Sequence, residues 1–278
     1  MEVFNEIAGL KKQLGTHRSN KQSIGLVPTM GYLHEGHAKL LEASIKKTDI
    51  TVCSIFVNPA QFNNPEDLEN YPQNIVQDLK MLEHLGVDYV FCPSGDEMYP
   101  LKPVVLFEFE NIGNIMEGQW RPGHFSGVGL IVSKLLNIVQ PDMAFFGEKD
   151  LQQLILMKRM VLDLNMDVNI VGVPTLREES GLALSSRNAR LSDEEKKYAA
   201  TIFKALSMAK AILMHSGDIQ NAKEEARKIL DGVAEVEPEY IEIVDPESFE
   251  KLSAFQSSAA ICIAAKVGSV RLIDNIII

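Results

Sequence analysis

Ile24-Gly25-Leu26-Val27-Pro28-Thr29-Met30-Gly31-Tyr32-Leu33-His34-Glu35-Gly36-His37 carries the strongest structural signal in the chain. An apolar run enters it, and the helix-like segment His37-Ala38-Lys39-Leu40-Leu41-Glu42-Ala43-Ser44 leaves it. That order reads as a strand, a turn punctuated by glycines and a helix start. Backbone N–H groups in a helix's first turn have no partner within the helix and carry partial positive charge, so they receive anions. Gly31 and Gly36 clear side chains from where a phosphate approaches. His34 and His37, three apart, fall on one face of the first turn. Two imidazoles aimed at a phosphate donate hydrogen bonds as charge builds during nucleotidyl transfer. A tight βα turn with two solvated histidines shares the pattern, but the strand–turn–helix context favours the anion site.

The same grammar repeats outward from this turn. Strand-like runs at 23–27, 51–57, 89–92, 143–146 and 168–173 alternate with helical patterns at 38–46, 75–85, 128–139 and 151–162. The alternation predicts βαβ units in a parallel, doubly wound sheet, with ligands beyond the strands' carboxyl ends where strand order reverses. Near 175–181 the character changes. Ser192-Asp193-Glu194-Glu195 is a capping box for a long helix reaching about 215, and Asp218 caps another ending near 232. Strand-like runs at 240–244, 259–265 and 271–277 follow. Helices followed by strands predict a small α+β second domain, so the expected division is 1–176 and 177–278.

Composition bounds the function. A formal net charge of -11 argues against a broad nucleic-acid face, so an anionic ligand needs a local site. No apolar run reaches the ~18–20 residues of a membrane span, and the start Met1-Glu2-Val3-Phe4-Asn5-Glu6 lacks a signal peptide's pattern. A cytoplasmic protein is expected. Cys53, Cys92 and Cys262 lie far apart in apolar runs and read as core residues, not as a disulfide framework or zinc site.

Three further polar groups follow strands or the domain junction. Asn58 and Gln61 project from the loop after the second strand, where an amide offers a donor and an acceptor to a hydroxy acid. In Phe146-Gly147-Glu148-Lys149-Asp150-Leu151-Gln152-Gln153, Gly147 marks a turn, Asp150 is placed to cap a helix and Lys149 stands where a phosphate meets the helix start. Leu184-Ser185-Ser186-Arg187 offers two hydroxyls and a planar guanidinium to phosphate oxygens. His124, in a Gly-rich loop, is a weaker candidate, and Asp78 lies on a predicted helix, where an aspartate either reaches a metal or, more often, is simply solvated.

Together these segments resemble the pantothenate synthetase (pantoate–β-alanine ligase) family. Pro-Thr-Met-Gly…His-x-Gly-His, Phe-Val-Asn-Pro-x-Gln-Phe, Val-Ser-Lys-Leu-Leu-Asn-Ile-Val-Gln-Pro-Asp, Phe-Gly-Glu-Lys-Asp and Leu-Ala-Leu-Ser-Ser-Arg-Asn occur in the family's order between Pro28 and Asn188. Beyond about 195 the similarity is one of length and general pattern. The resemblance implies a Rossmann-like catalytic domain with a smaller lid domain. It implies a reaction in which ATP and pantoate give pantoyl adenylate and pyrophosphate, and β-alanine then displaces AMP. It implies an ATP site at Met30, Gly31, Tyr32, Leu33, His34, Glu35, Gly36, His37, Gly147, Glu148, Lys149, Asp150, Leu176, Leu184, Ser185, Ser186 and Arg187. His37 would act as hydrogen-bond and proton donor, with His34 and Lys149 assisting at the phosphates. Gln61 and Gln153 would hold pantoate, Gln61 would also be near β-alanine, and Asp78 would stand on the magnesium side. A homodimer is implied, for which the apolar 50–57 strand and the 105–115 region are the candidate surfaces. Tyr32, Ala60, Gln73 and Gln77 depart from the residues usual in the family.

Two other readings fit the first turn. A nucleotidyltransferase that joins AMP to a phosphorylated substrate would want further basic residues where this chain has Gln61 and Gln153. A nucleotide-binding sensor would have no need of His34, His37 and Lys149 together.

Overall fold

The computed structural model describes residues 1–255 and 257–278. The elements run β1 (Glu2–Phe4), α1 (Ile7–Ser19), β2 (Ile24–Thr29), α2 (Glu35–Lys47), β3 (Ile50–Ile55), α3 (Pro65–Glu69), α4 (Ile75–Leu85), β4 (Tyr89–Phe91), α5 (Gly95–Met98), α6 (Glu117–Trp120) and α7 (His124–Val139). They continue with β5 (Met143–Gly147), α8 (Leu151–Asp163), β6 (Asn169–Val173), α9 (Asp193–Ser216), α10 (Ile219–Asp231), β7 (Val236–Val244), β8 (Ala260–Val267) and β9 (Val270–Ile277). Two compact units emerge: 1–148 with 156–174, and 149–155 with 175–278. Residues 149–155, the start of α8, thus group with the C-terminal unit.

The first unit carries a six-stranded parallel sheet in the order β1-β4-β3-β2-β5-β6. From β2 the chain adds β3 and β4 on one side and later β5 and β6 on the other, so strand order reverses between β2 and β5. The doubly wound sheet expected from the alternation is therefore present. Its inner strands read as continuous apolar runs because helices cover both faces. β2 begins with four consecutive buried residues and β3 with five. α2 turns Leu40, Leu41 and Ser44 inward and leaves Lys39, Glu42, Lys46 and Lys47 exposed, the pattern of a surface helix. α7 is buried along most of its length.

β3 is an inner strand, paired to β2 from Ile24↔Ile50 to Thr29↔Ile55 and to β4 on its other side. The 50–57 strand is therefore not a surface for a partner, because both its edges are used within the sheet. The N-terminal β1 and α1, which the periodicity did not pick out, close one edge through Val3↔Val90. Cys53 lies in β3, where burial pushes its thiol well above the usual range, and Cys92 is raised to about 11 by the same cause. Both are thiols packed as small apolar groups.

The second unit packs α9 and α10 on an antiparallel sheet β7-β8-β9. Ser192 caps α9 as its sequence requires: its hydroxyl accepts from the Glu195 N–H at 3.2 Å, and the Glu195 carboxylate accepts from the Ser192 N–H at 2.8 Å. Asp218 caps α10 by accepting from the Asn221 N–H at 2.9 Å. Ala199, Ile202, Leu206, Ala209 and Leu213 from α9 meet Ala222, Ala226 and Leu230 from α10 and Ile241, Ile261 and Ile263 from the sheet. The alanines let the two helices lie close. Among the described residues no helix is long and apolar enough to cross a membrane.

Candidate active site

In the first unit the turn after β2 is built by four local devices. Gly31 has φ +80, and Tyr32 follows at φ 51, a conformation in which a side chain other than glycine's is strained. The Thr29 hydroxyl accepts from the Gly31 N–H at 3.2 Å. Asp78, on the first turn of α4, reaches across: its two carboxylate oxygens accept from the Tyr32 and Leu33 N–H groups at 2.8 and 2.7 Å. Asp78 is only 2% exposed, so these are charge-assisted bonds in a dry setting. The fourth device is the helix cap, which histidines supply in place of the usual Ser and Glu.

His34 is the N-cap of α2, with extended backbone, and its Nδ1 accepts from the Gly36 N–H at 3.1 Å. His37 stands three residues on, and its Nδ1 accepts from the His34 N–H at 3.2 Å. The ring centroids are 4.1 Å apart. Because both Nδ1 atoms accept, each neutral ring carries its proton on Nε2. The capping geometry thereby fixes both the orientation and the tautomer of the two histidines. Each is half-buried, and their donors stand at a helix start that already favours negative charge.

Met30 and Gln61 also come together in this unit. The Gln61 amide nitrogen lies 3.1 Å from the Met30 sulfur, and its amide oxygen accepts from Asn58 Nδ2 at 3.0 Å. Asn58 is 1% exposed and is itself held by the Tyr99 hydroxyl, which donates to Asn58 Oδ1 at 2.8 Å. Burial raises the Tyr99 phenol to about 12, so it remains a donor at neutral pH. Asn58 ahead of Pro59 announces a turn in the sequence; its link to Tyr99, forty-one residues on, is visible only in the fold.

The second unit holds Lys149, Gln153, Leu176 and Leu184 to Arg187. Glu148–Asp150 is a 3-10 turn that leads into α8. The Lys149 carbonyl accepts from Asn275 Nδ2 of β9 at 2.9 Å, and its ammonium lies 3.8 Å from the Asp150 carboxylate. Gln153 is half-buried on α8, next to the buried Gln152. The Leu184 N–H donates to the Leu176 carbonyl at 3.0 Å, which sets these two side by side. Ser185 caps the 3-10 helix Ser186–Arg190, its hydroxyl accepting from the Arg187 N–H at 3.3 Å. Lys149, Ser185, Asn188 and Asp274 line one narrow cavity of about 10 Å³.

Arg177 is the residue that the sequence does not announce. Its guanidinium grips the Asp274 carboxylate through two bonds of 2.5 and 2.9 Å, donates to the Asn275 and Gly181 carbonyls, and stacks 4.4 Å over the Phe203 ring. A planar fork on a buried carboxylate is the strong form of such a pair. It fastens the 177–183 loop to β9, which also holds Lys149 through Asn275.

Both Asp78 oxygens are turned onto backbone N–H groups and the side chain is buried, so in this geometry it is a clasp on the turn. Among the described residues no group of three or more His, Cys, Asp or Glu is placed to hold an ion.

A doubly wound sheet with a His-x-Gly-His helix start at the end of β2, beside the reversal of strand order, defines an α/β enzyme of the nucleotidyltransferase kind. The sequence profile of the Pantoate-beta-alanine ligase family matches residues 2–277, and the chain belongs to that family. The pantothenate synthetase of Thermosipho africanus is 48% identical over 280 residues, with 100% of both chains covered. That of Caldicellulosiruptor bescii is 44% identical over 279 residues, covering 100% of this chain and 99% of the relative. The crystal structure of pantothenate synthetase from Thermus thermophilus matches with a TM-score of 0.94 at 40% identity over 99% of each chain. Pantoate-beta-alanine ligase from Francisella tularensis, solved in complex with beta-gamma ATP and β-alanine, matches with a TM-score of 0.81 at 36% identity, over 99% of this chain and 97% of that one.

Proposed function

We propose that this enzyme condenses pantoate with β-alanine at the expense of ATP, giving pantothenate, AMP and pyrophosphate. The observation that carries this reading is the family match over residues 2–277, with a relative 48% identical along the whole chain. A pantoate carboxylate oxygen attacks the α-phosphorus of ATP and pyrophosphate leaves. The β-alanine amine then attacks the acyl carbon of pantoyl adenylate, and AMP leaves as the amide bond forms. Adenylation turns a poor electrophile into one with a good leaving group, and the protein's task is positioning and charge neutralisation.

In this reading His37 and His34 donate from Nε2 to phosphate oxygens as charge grows in the first step. The tautomers set by the capping bonds support that role, since they leave the proton on the donating atom. Lys149 adds positive charge, and the backbone from Met30 to His37, from Gly147 to Asp150, at Leu176 and from Leu184 to Arg187 serves ATP. Gln61 and Gln153 read the hydroxyl and carboxylate of pantoate, with Gln61 also meeting β-alanine. Magnesium arrives on the phosphates of ATP, and no step is assigned to an ion on Asp78. The reaction belongs in the cytoplasm, where ATP is supplied. The enzyme acts as a homodimer, a reading supported by the exposed Leu101, Val104 and Leu106, which sedimentation equilibrium reads directly. A monomer at all concentrations overturns the dimer alone.

The first half-reaction runs without the amine. Labelled pyrophosphate exchanges into ATP when pantoate and magnesium are present and β-alanine is absent, and oxygen label from the pantoate carboxylate reaches AMP once β-alanine is added. Exchange that strictly requires β-alanine, or label that stays out of AMP, overturns the two-step mechanism.

A further inference from the structure

His124 is no loop residue. It opens α7, is 6% exposed, and its ring touches the main chain of a residue assigned above to pantoate: His124 Nδ1 lies 2.8 Å from the Gln61 carbonyl oxygen. On the other side of the ring, Arg121 Nη1 lies 3.1 Å from His124 Nε2. A carbonyl oxygen only accepts and a guanidinium only donates, so Nδ1 carries the proton and Nε2 accepts. The guanidinium in turn sits 3.7 Å from the Glu117 carboxylate, whose side chain is 6% exposed. Glu117, Arg121 and His124 thus form one chain that ends on the Gln61 carbonyl. The assigned tautomer is the reverse of that of His34 and His37, and a charged partner enforces it.

The packing leaves this loop little freedom. A Cβ on Gly127 would stand 2.1 Å from the Ala60 carbonyl oxygen, so the first turn of α7 lies directly against the Pro59–Gln61 turn. Gly127 also accepts from Asn58 Nδ2 at 3.1 Å, the group that holds the Gln61 side chain. Gln61 therefore has its side-chain oxygen on Asn58 and its main-chain oxygen on His124. We propose that His124, held in its Nδ1–H tautomer by Arg121, is a positioning residue for Gln61 and so for recognition of the hydroxy acid. This rests on the assignment of Gln61 to pantoate.

Two measurements on the full-length enzyme test it. Long-range proton–nitrogen NMR correlation of the His124 ring reads the tautomer without any substrate: Nδ1 carries the proton in the parent, and Arg121→Leu weakens that preference, which the Gln61 carbonyl alone then supports. A proton on Nε2 in the parent overturns the proposal even if the enzyme makes pantothenate. In steady-state kinetics, His124→Leu raises the pantoate KM about tenfold or more while the ATP KM stays within twofold. His124→Asn, whose amide can donate from the place of Nδ1, recovers most of that loss. Pantoate and ATP constants that move together, or an Asn variant no better than Leu at equal thermal stability, also overturn it. Absence of pantoate-dependent exchange in the parent would instead defeat the functional reading and leave the tautomer result standing.

Discussion

The turns after β2 and after β5 obey one grammar in the sequence: apolar strand, glycine, polar residues, helix. They are held by different means. The first is shaped by backbone strain and a buried clasp, with Gly31 and Tyr32 at positive φ, Asp78 on two N–H groups and two histidines capping the helix. The second needs none of this: Gly147 has no positive φ, a Cβ there would meet nothing within 4 Å, and the turn is tied through the Lys149 carbonyl to Asn275. A shared motif therefore hides two physical situations. In the first the glycine serves the fold of the turn, whereas in the second the fold leaves the glycine's place open to a side chain.

The largest effect expected from this contrast is at His37, which completes the cap and in the proposed reaction donates to a phosphate. His37→Ala removes a preorganised donor, a loss of about 3–4 kcal/mol in the transition state, or roughly a hundredfold or more in kcat. ATP affinity, measured by calorimetry, changes little. A variant within threefold of the parent in kcat would mean that the first turn is a structural feature only.

Next comes the clasp. Asp78→Asn sets an amide against two N–H donors, so at least one buried donor loses its acceptor, at a cost of about 1–3 kcal/mol. Thermal unfolding shifts downward and kcat falls about tenfold, while the magnesium concentration for half-maximal rate is unchanged. A large shift in magnesium requirement with intact thermal stability returns Asp78 to the metal and breaks the comparison.

The smallest effects separate the two glycines. Gly31→Ala forces an alanine into φ +80, with its Cβ 3.0 Å from the Asp78 carboxylate, and destabilises by about 1–3 kcal/mol. Gly147→Ala leaves stability within about 0.5 kcal/mol and raises the ATP KM several-fold. Equal destabilisation at both sites would show that the turns are held alike.

Much of this was legible in the sequence because its causes are local. Hydrophobic period located β2, α2, α4, β5 and α8; Ser192 with Glu195, and Asp218, marked helix starts; the order of motifs carried the family. The short β1 and its helix α1 carried little signal of their own, since three residues of strand gain their identity from pairing with β4. The candidate site is legible only as residue types and order: the histidines, Gln61 and Lys149 stand where a strand ends. Their partners are not. A helical aspartate in sequence gives no sign of which backbone it faces, so the clasp of Asp78 on the Tyr32–Leu33 turn is not legible there.

What the sequence determined alone is the alternation of elements, the two helix caps of the C-terminal unit and the positions of the polar groups, since each depends on neighbours a few residues away. How those groups are set comes from folding: Asp78 on the Tyr32–Leu33 turn, Tyr99 on Asn58, His124 on Gln61, Arg177 on Asp274. These partners lie from about forty to nearly a hundred residues apart along the chain. A hydrogen bond depends on atoms within about 3 Å, and only folding brings such distant residues that close.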